Sequence, residues 1–329
     1  MRFTFYQPYS IYEQGKRPNQ EDSIFPRHHE ATAEDRLFIL CDGMGGYEYG
    51  ELASSTICES MSSYLLSMPV FSERVFRDAL QYGYRKLVEK SAGMGNRMGT
   101  TLAFLAFYEK GCLAAHIGDS RIYHIRPSEG RVMYVSHDHS LVNDLYEAGE
   151  ISKEEMKTSP QRHVITRAIR GGEKGHLSQP EVQHITDICP GDYFLLVSDG
   201  MLEKMDDNDL LRLLARHDID DAGKAEQLRN ATADNSDNHS AYLVHVEGVN
   251  DGGSRNCDGG SGFSEEMEKG MEVNISSSPM AQTSTLKHQP SDSNQLHPSP
   301  LYRPTLNWWK FYFIALCVFV AILWLIMKH

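Results

Sequence analysis

Several aspartates lie beside short apolar segments, at points where a strand would begin or end. They are Asp42, Asp119, Asp199 and Asp237. A carboxylate beside a buried strand costs free energy unless its charge is compensated. One Asp-Gly pair is a common turn, but four such aspartates favour a convergent set of oxygen ligands over unrelated turns. Mg²⁺ and Mn²⁺ prefer such ligands, and glycine at position 43 lets a carbonyl approach a cation closely. The sequence therefore predicts a site for divalent cations.

The elements that would position these aspartates are short strands and amphipathic helices. Five- or six-residue apolar runs with aromatic and branched residues, such as 37–41 and 193–197, favour strands. Consecutive hairpins predict an antiparallel meander rather than a parallel sheet. The hairpins pair 101–108 with 112–117, and 121–125 with 131–135. Apolar stripes predict helices over 51–68, 73–92, 207–217 and 222–233. The expected fold class is α+β, with helices packed outside two antiparallel sheets.

Charge and cysteine content exclude several classes of protein. The 329 residues include 32 Lys and Arg and 45 Asp and Glu, for a net charge of −13. An acidic chain is a poor nucleic-acid binder, because phosphate binding requires a basic field. Seven acidic and six basic residues follow residue 247, so a charge of −12 belongs to residues 1–247. The six cysteines form no C-x-x-C pair, which argues against a zinc site.

The last part of the chain differs in composition from the first. Residues 248–306 are rich in Gly, Ser, Pro, Asn and Gln, which is typical of a disordered linker. Residues 311–327 contain no charged residue among seventeen, and Trp308 and Trp309 precede them. At about 1.5 Å per residue, residues 308–327 would span roughly 30 Å, which predicts a single transmembrane helix within an anchor at 307–329. The N-terminus lacks an export signal. We therefore expect the catalytic domain, 1–247, in the cytoplasm, tethered to the cytoplasmic (inner) membrane by its C-terminus.

Eight short motifs follow one another along residues 17–246. The first is R-P-N-Q-E-D at 17–22, which has the form R-x-x-x-E-D. The others are D-G-M-G-G at 42–46 with G-E-L-A-S at 50–54, M-G-T-T at 98–101, G-D-S-R at 118–121, D-H-S-L at 138–141, V-I-T-R-A at 164–168, S-D-G at 198–200 and D-N at 237–238. Each motif alone is weak, but their order is specific, and it resembles that of the metal-dependent (PPM type, or type 2C) protein serine/threonine phosphatases of bacteria. The resemblance implies the PPM-type phosphatase fold, a β-sandwich of two antiparallel sheets flanked by helices.

The resemblance also implies a role for each matching residue. Asp42 would bridge two Mn²⁺ or Mg²⁺ ions, with the Gly43 carbonyl on one ion and Asp199 and Asp237 on the other. A third, weaker ion would bind Asp119. The remaining predicted site residues are Glu21 and Asp22, which would act directly or through coordinated water, and Arg17, which would bind the substrate phosphate. Its planar guanidinium suits bidentate phosphate contact. Water activated by the two ions would attack phosphoserine or phosphothreonine in substrate proteins.

Two departures and two alternatives accompany this assignment. Met44 replaces the histidine that eukaryotic members use as a general acid, and Arg170 interrupts the usual R-A-L-G. An inactive relative that binds phosphoproteins would use the same fold, although all three central aspartates are present. A nuclease with two metal ions would need a basic surface that this chain lacks. The expected partners are Ser/Thr-phosphorylated proteins, the substrates of a bacterial Ser/Thr kinase.

Overall fold

The computed structural model describes residues 2–44, 49–92, 98–171 and 177–250. The predicted linker (248–306) lies almost entirely outside these ranges, and the predicted anchor (307–329) and the Gly45-Gly46 part of the D-G-M-G-G motif lie wholly outside them. Within the described ranges, no helix combines the length and the apolar character needed to cross a membrane. The anchor therefore stays a prediction.

Six antiparallel strands form the first sheet. They are β1 (Arg2–Phe5), β2 (Tyr9–Glu13), β8 (Arg121–Arg126), β9 (Arg131–Val135), β12 (Tyr193–Val197) and β13 (His239–Asn250). The order is β1-β13-β12-β8-β9, and β2 pairs with the first half of β13 while β1 pairs with the second half. Strand β12 is central and its five residues are all buried, as expected for a continuous apolar run.

Five antiparallel strands form the second sheet, in the order β11-β7-β6-β4-β3. They are β3 (Asp22–Phe25), β4 (Leu37–Asp42), β6 (Leu102–Tyr108), β7 (Gly111–Ile117) and β11 (Glu181–Ile185). A separate two-stranded ladder joins β5 (Gly99–Thr100) to β10 (Ile169–Arg170). The hairpin of β6 and β7 lies where the sequence predicts it, and Arg170, which departs from the family motif, takes part in the small ladder.

Helices cover the outer face of each sheet, so the architecture is a sandwich of four layers. The helices are α1 (Gly50–Leu66), α2 (Glu73–Lys90), α3 (Leu141–Glu147), α4 (Lys153–Thr158), α5 (Asp207–Leu214) and α6 (Asp221–Thr232). Helices α1 and α2 pack on the second sheet, through residues such as Ile57 and Phe76 against Phe104. Helices α5 and α6 pack on the first sheet, where Leu211 and Leu228 join its core.

The two sheets face each other across a core of fully buried side chains. This core includes Phe38, Leu105, Phe194 and Tyr242, whose side chains are fully buried. Because both sheets share this core, the ends of β4 and β12 keep a fixed position relative to each other. The predicted α+β sandwich is confirmed, and it places the ends of these strands at a common edge.

Candidate metal centre and active site

Five carboxylates gather at one end of the sandwich because of how the strands pair. In the second sheet, Asp22 at the start of β3 lies opposite Asp42 at the end of β4. In the first sheet, Asp199 follows β12 and Asp237 precedes β13, and these two strands pair at Val197 and Ala241. The Ser198 hydroxyl donates to Asp22 Oδ2 at 3.1 Å and so joins the two sheets. Asp119 lies in the turn between β7 and β8.

Backbone contacts fix the position of Asp42 and Gly43. Thr101 donates its N–H to the Asp42 carbonyl at 2.9 Å, and Asp42 donates its N–H to Thr101 Oγ1 at 3.0 Å. Gly43 donates its N–H to the Glu21 carbonyl at 3.0 Å. A Cβ at position 43 would lie 2.5 Å from that carbonyl oxygen and from the backbone of Gly50. Only glycine fits between these two segments, and the predicted approach of its carbonyl to a cation stays a prediction.

The carboxylates repel one another. Burial, followed by the charges of Asp22, Asp199, Asp119 and Asp237, raises the pKa of Asp42 well above its usual value. Burial is also the largest cause of the raised pKa of Asp199 and of Asp119, and in Asp22 it raises the pKa to about 7. Such shifts arise when like charges share a site that has too few counter-charges. The folded chain thus gathers several carboxylates here and supplies too little counter-charge to keep all of them ionised.

Two oxygen atoms in this cluster have no hydrogen-bond partner within the described part of the chain. They are Asp22 Oδ1 and Asp119 Oδ1, and both residues are at least nine-tenths buried. Buried polar atoms in folded proteins are nearly always satisfied, so an orphaned carboxylate oxygen requires an explanation. Hard cations bind such oxygens and neutralise their charge. The donor set therefore fits divalent cations.

Arg17 brings a positive charge into contact with this cluster. Its Nη2 donates to Asp237 Oδ2 at 2.6 Å, and its side chain is 45% exposed. The hydrogen bond to Asp237 raises the Arg17 pKa further, so the guanidinium is charged at every physiological pH. A half-exposed guanidinium at the rim of the cluster can reach an oxyanion that arrives from solvent.

Asn238 holds the Arg17 loop against β13. Its side-chain nitrogen donates to the carbonyls of Gln14 and Asn19, at 2.8 and 2.9 Å, and its Oδ1 accepts from the Glu21 N–H at 2.8 Å. The sequence analysis named Asn238 as part of a motif but gave it no role. Its position directly after Asp237 is the signal that could have suggested one. Ser198, which the sequence analysis named only as part of the S-D-G motif, likewise orients Asp22.

The structure brings together the predicted residues. Asp22, Asp42, Asp119, Asp199 and Asp237 form one charged cluster, with Arg17 at its rim. Glu21 is half-buried beside Gly50, and burial raises its pKa while Arg17 lowers it. The Glu21 carbonyl accepts the Gly43 N–H and so contacts the predicted metal-binding segment directly, whereas the Glu21 carboxylate lies beside Gly50. The assignment of each residue to a particular ion stays a prediction.

Comparison with known proteins agrees with this geometry. The family model for protein phosphatase 2C matches residues 13–231. Protein phosphatase PhpP of Streptococcus pneumoniae is 34% identical over 218 residues, which cover 65% of this chain and 85% of PhpP. The crystal structure of the Mycobacterium tuberculosis serine/threonine phosphatase PstP/Ppp has a TM-score of 0.63 at 28% identity, covering 74% of this chain and 99% of that one.

A further solved structure bears on the cluster of carboxylates. The catalytic domain of the serine/threonine protein phosphatase PstP in complex with two manganese ions matches with a TM-score of 0.61 at 27% identity, over 75% of this chain and all of that one. The chain belongs to the protein phosphatase 2C family. The predicted family, the sandwich of sheets and helices and the metal-dependent phosphatase activity are thereby confirmed.

Proposed function

We propose that this protein hydrolyses phosphoserine and phosphothreonine in other proteins at the carboxylate cluster, with two or three Mn²⁺ or Mg²⁺ ions. The observation that supports this most is the convergence of five aspartates, four of which have a pKa raised by burial and by the charges of their neighbours. The residues that would hold the two main ions are Asp42, the Gly43 carbonyl, Asp199 and Asp237. Asp119 would hold the third, with Asp22 and Glu21 acting directly or through water.

Each part of the chain then has a defined task in the reaction. Bound divalent cations supply activated water and stabilise the charge that develops on the phosphoryl group. Arg17 binds and orients the phosphate through its planar guanidinium at the rim of the cluster. Thr101 holds the Asp42 backbone, and the Asn238 N–H donates to Asp237 Oδ1 at 2.8 Å and holds that carboxylate, so that the ligands do not need to reorganise during the reaction. No cysteine or serine of the chain is needed as a nucleophile.

A catalytically inactive phosphoprotein-binding regulator would be the alternative. It is disfavoured because every carboxylate that the resemblance requires is present and lies in the cluster, and because the relatives carry the names of phosphatases.

A phosphopeptide assay tests the proposal. The purified full chain should release phosphate from phosphoserine and phosphothreonine peptides with Mn²⁺ or Mg²⁺ and should lose that activity in EDTA. Isothermal titration with Mn²⁺ should show at least two binding events. Activity that resists EDTA, or release from phosphotyrosine peptides alone, would contradict the proposal. Comparison of the two ions at equal concentration would decide which one supports turnover better.

The physiological substrates would be proteins phosphorylated by a bacterial Ser/Thr kinase. The relatives in Streptococcus and Mycobacterium are named protein phosphatases, and the acidic charge of this chain does not suit nucleic acids. A phosphoproteome compared with and without the protein would identify the sites whose phosphorylation rises in its absence.

The uncharged run at 311–327 supports a further part of the proposal, that a C-terminal helix anchors the enzyme in the cytoplasmic membrane. The catalytic domain would then lie on the cytoplasmic side, joined by the linker. Strand β13 extends to Asn250, past the predicted boundary at 247, so a truncated chain should end after residue 250. Fractionation should place the full chain in the membrane pellet and the truncated chain, still active, in the supernatant. Full-length protein in the soluble fraction would exclude the anchor.

A further inference from the structure

His139 lies against the turn that carries Asp119. The Gly118 N–H donates to His139 Nδ1 at 3.1 Å, and the His139 N–H donates to the Gly118 carbonyl at 3.0 Å. Gly118 has a φ of +108°, and a Cβ there would lie 2.6 Å from Thr101 Cγ2. The turn must therefore contain glycine, which has no side chain to pack. Its restraint on that side comes from His139, which is 6% exposed.

The backbone of His139 faces a second segment. We call residues 141–165, which contain α3 and α4, the flap. At its base, Ser140 and Ile165 form an antiparallel bridge, and Leu141 donates its N–H to the Val164 carbonyl at 2.9 Å. Directly after the flap, Thr166 donates its N–H to the His139 carbonyl at 2.9 Å. One residue thus connects the Asp119 turn with the base of the flap.

The ring of His139 is held in a single orientation. It stacks on the ring of His116, with centroids 4.6 Å apart and planes inclined by 11°. His116 is itself fixed by a 2.6 Å hydrogen bond from Nε2 to the His137 carbonyl. Stacked side chains in a buried setting lose the freedom to rotate. The stacking therefore keeps the Nδ1 atom of His139 directed toward the Gly118 N–H.

The proton of the neutral His139 ring belongs on Nε2. Two donors face the ring, the Gly118 N–H at Nδ1 and Arg167 Nη1 at 3.1 Å from Nε2. The Gly118 amide is fixed by the backbone, whereas Arg167 is an exposed side chain that can move away. With Nδ1 accepting, Nε2–H points toward the Glu181 carboxylate, 3.6 Å away.

This proton assignment also decides what the cluster of His116, His139 and Glu181 is. Their possible ligand atoms lie within 4.8 Å of one another, as in a metal site. A ligating Nε2 would need a free lone pair; the assigned proton removes it, and a guanidinium, itself a cation, lies 3.1 Å from that atom. The cluster therefore supports the His139 ring, which stacks on His116, rather than a metal ion.

We propose that His139 is a positioning residue of the phosphatase, which holds the Asp119 carboxylate in the cluster through Nδ1 and couples that carboxylate to the flap. The inference rests on the proposed role of Asp119 as a ligand. A carboxylate that its neighbours repel requires a rigid turn to stay in place, and the Gly118–His139 pair supplies it. Flap movement would then alter the weakest of the ion sites.

Two amide substitutions test the contact. In His139→Asn, Oδ1 can take the place of Nδ1 and accept from Gly118, whereas in His139→Gln the amide reaches the place of Nε2 instead. In the full-length protein without added metal, we expect amide exchange at Gly118 and at the flap base to stay near wild type for Asn and to speed up at least tenfold for Gln. Equal exchange in all three proteins would overturn the proposal.

Metal binding and kinetics provide the second measurement. Titration calorimetry with Mn²⁺ should show the weakest binding event weakened about tenfold in His139→Gln and preserved in His139→Asn, and kcat should fall more than KM rises. A purely structural role would lower the thermal stability of both variants alike, without this split. If Asp119→Asn leaves every Mn²⁺ event unchanged, the ligand role of Asp119 fails, but the exchange measurement still tests the His139 contact.

A measurement on the unmodified protein guards against variants that do not fold. The ¹⁵N chemical shifts of the His139 ring should report an unprotonated Nδ1 and a protonated Nε2. A ring that carries its proton on Nδ1 cannot accept from Gly118, and this result would overturn the proposal.

Discussion

Strand β12 runs between two aspartates, and the chain surrounds them differently. Asp192 precedes the strand and is fully buried, and it accepts hydrogen bonds from Arg126 Nε at 2.8 Å and from His124 Nε2 at 2.8 Å. The Cys189 N–H adds another at 2.8 Å. Burial would raise the Asp192 pKa, but the bonds from His124 and Arg126 outweigh it and lower the pKa below its ordinary value.

At the other end of β12, Asp199 has carboxylates as its neighbours. Burial and the charge of Asp237 raise its pKa, and a hydrogen bond with Asp42 only partly opposes them. The chain supplies all the counter-charge at Asp192 and too little at Asp199. A buried carboxylate whose partners are complete stabilises a fold, whereas one whose partners are missing is available for a cation from solution.

The largest expected effect is on turnover, at the end of β12 where Asp199 lacks sufficient counter-charge. Asp42→Asn or Asp199→Asn should lower kcat/KM by at least about a thousandfold, because cations contribute several kcal/mol to the transition state. Stability should stay unchanged or rise, since one repelling charge is gone. Phosphopeptide kinetics with Mn²⁺ and thermal unfolding measure the two quantities. Asp78→Asn, which removes an exposed charge on α2, is the matched control. Near wild-type turnover in Asp42→Asn would show that the metal assignment is wrong.

At the other end of β12, where Asp192 has all its partners, a substitution should change the stability of the protein rather than its turnover. Asp192→Asn removes the buried carboxylate that bonds to Arg126 and leaves that guanidinium the more distant and more exposed Glu129 and Asp187, so it should lower the free energy of unfolding by about 3 kcal/mol. Urea unfolding measures this, while kcat per folded molecule should not change. Asp187→Asn is the control, because Asp187 lies 3.4 Å from the same Arg126 but its side chain is 72% exposed. Equal losses of unfolding free energy in the two variants would show that burial does not distinguish Asp192 from Asp187.

The two ends should also differ in their pH dependence. In metal-free protein, Asp22 with a pKa of about 7 keeps a proton that the unfolded chain loses near 4. Stability should therefore fall as pH rises from about 4 to 7. Asp192, whose pKa is lowered, contributes stability above about pH 4 that is lost as pH falls further. Melting temperatures in EDTA from pH 5 to 8 should decline in wild type and decline less in Asp22→Asn, and parallel curves would argue against the raised pKa.

The smallest expected effect concerns the rim of the cluster. Arg17→Ala should raise KM for a phosphopeptide by about tenfold, the value of one charge-assisted hydrogen bond. Cation affinity should change less, because in the proposed role Arg17 binds the substrate phosphate and does not ligate a cation. Arg17→Lys should recover part of the loss, since it keeps the charge but not the planar fork. Collapse of Mn²⁺ affinity in Arg17→Ala would instead make Arg17 a structural partner of the carboxylates.

Sequence reasoning found the strands that are buried on both faces. The runs at 37–41 and 193–197 agree with β4 and β12 to within one residue, because continuous apolar residues leave few other structures. Strand β11 was not predicted, since it lies at a sheet edge and most of its residues are exposed. Helices α3 and α4 were also missed, because both are short and only Val142 among their residues is buried.

The site shows the same division. Four of the five aspartates could be predicted because each lies beside a strand, a local pattern, whereas Asp22 was implied by the family resemblance. The roles of Asn238 and His139 could not, because they depend on contacts between segments that only the fold brings together. Asn238 bonds to Gln14, 224 positions earlier in the chain. No local pattern encodes such a pair.

The hydrogen bond between Arg17 and Asp237 competes with both ligands of the enzyme, the cation at Asp237 and the substrate phosphate at Arg17. Without a cation, Asp237 occupies the guanidinium that the phosphate of a substrate requires. A cation that takes up the Asp237 charge releases the guanidinium, and a phosphate that captures the guanidinium releases Asp237. Cation and substrate should thus show positive heterotropic cooperativity, and thermodynamic linkage requires each to tighten the other by the same factor. The apparent Mn²⁺ affinity should accordingly rise with the concentration of a phosphate ligand, and Arg17→Ala should abolish that rise.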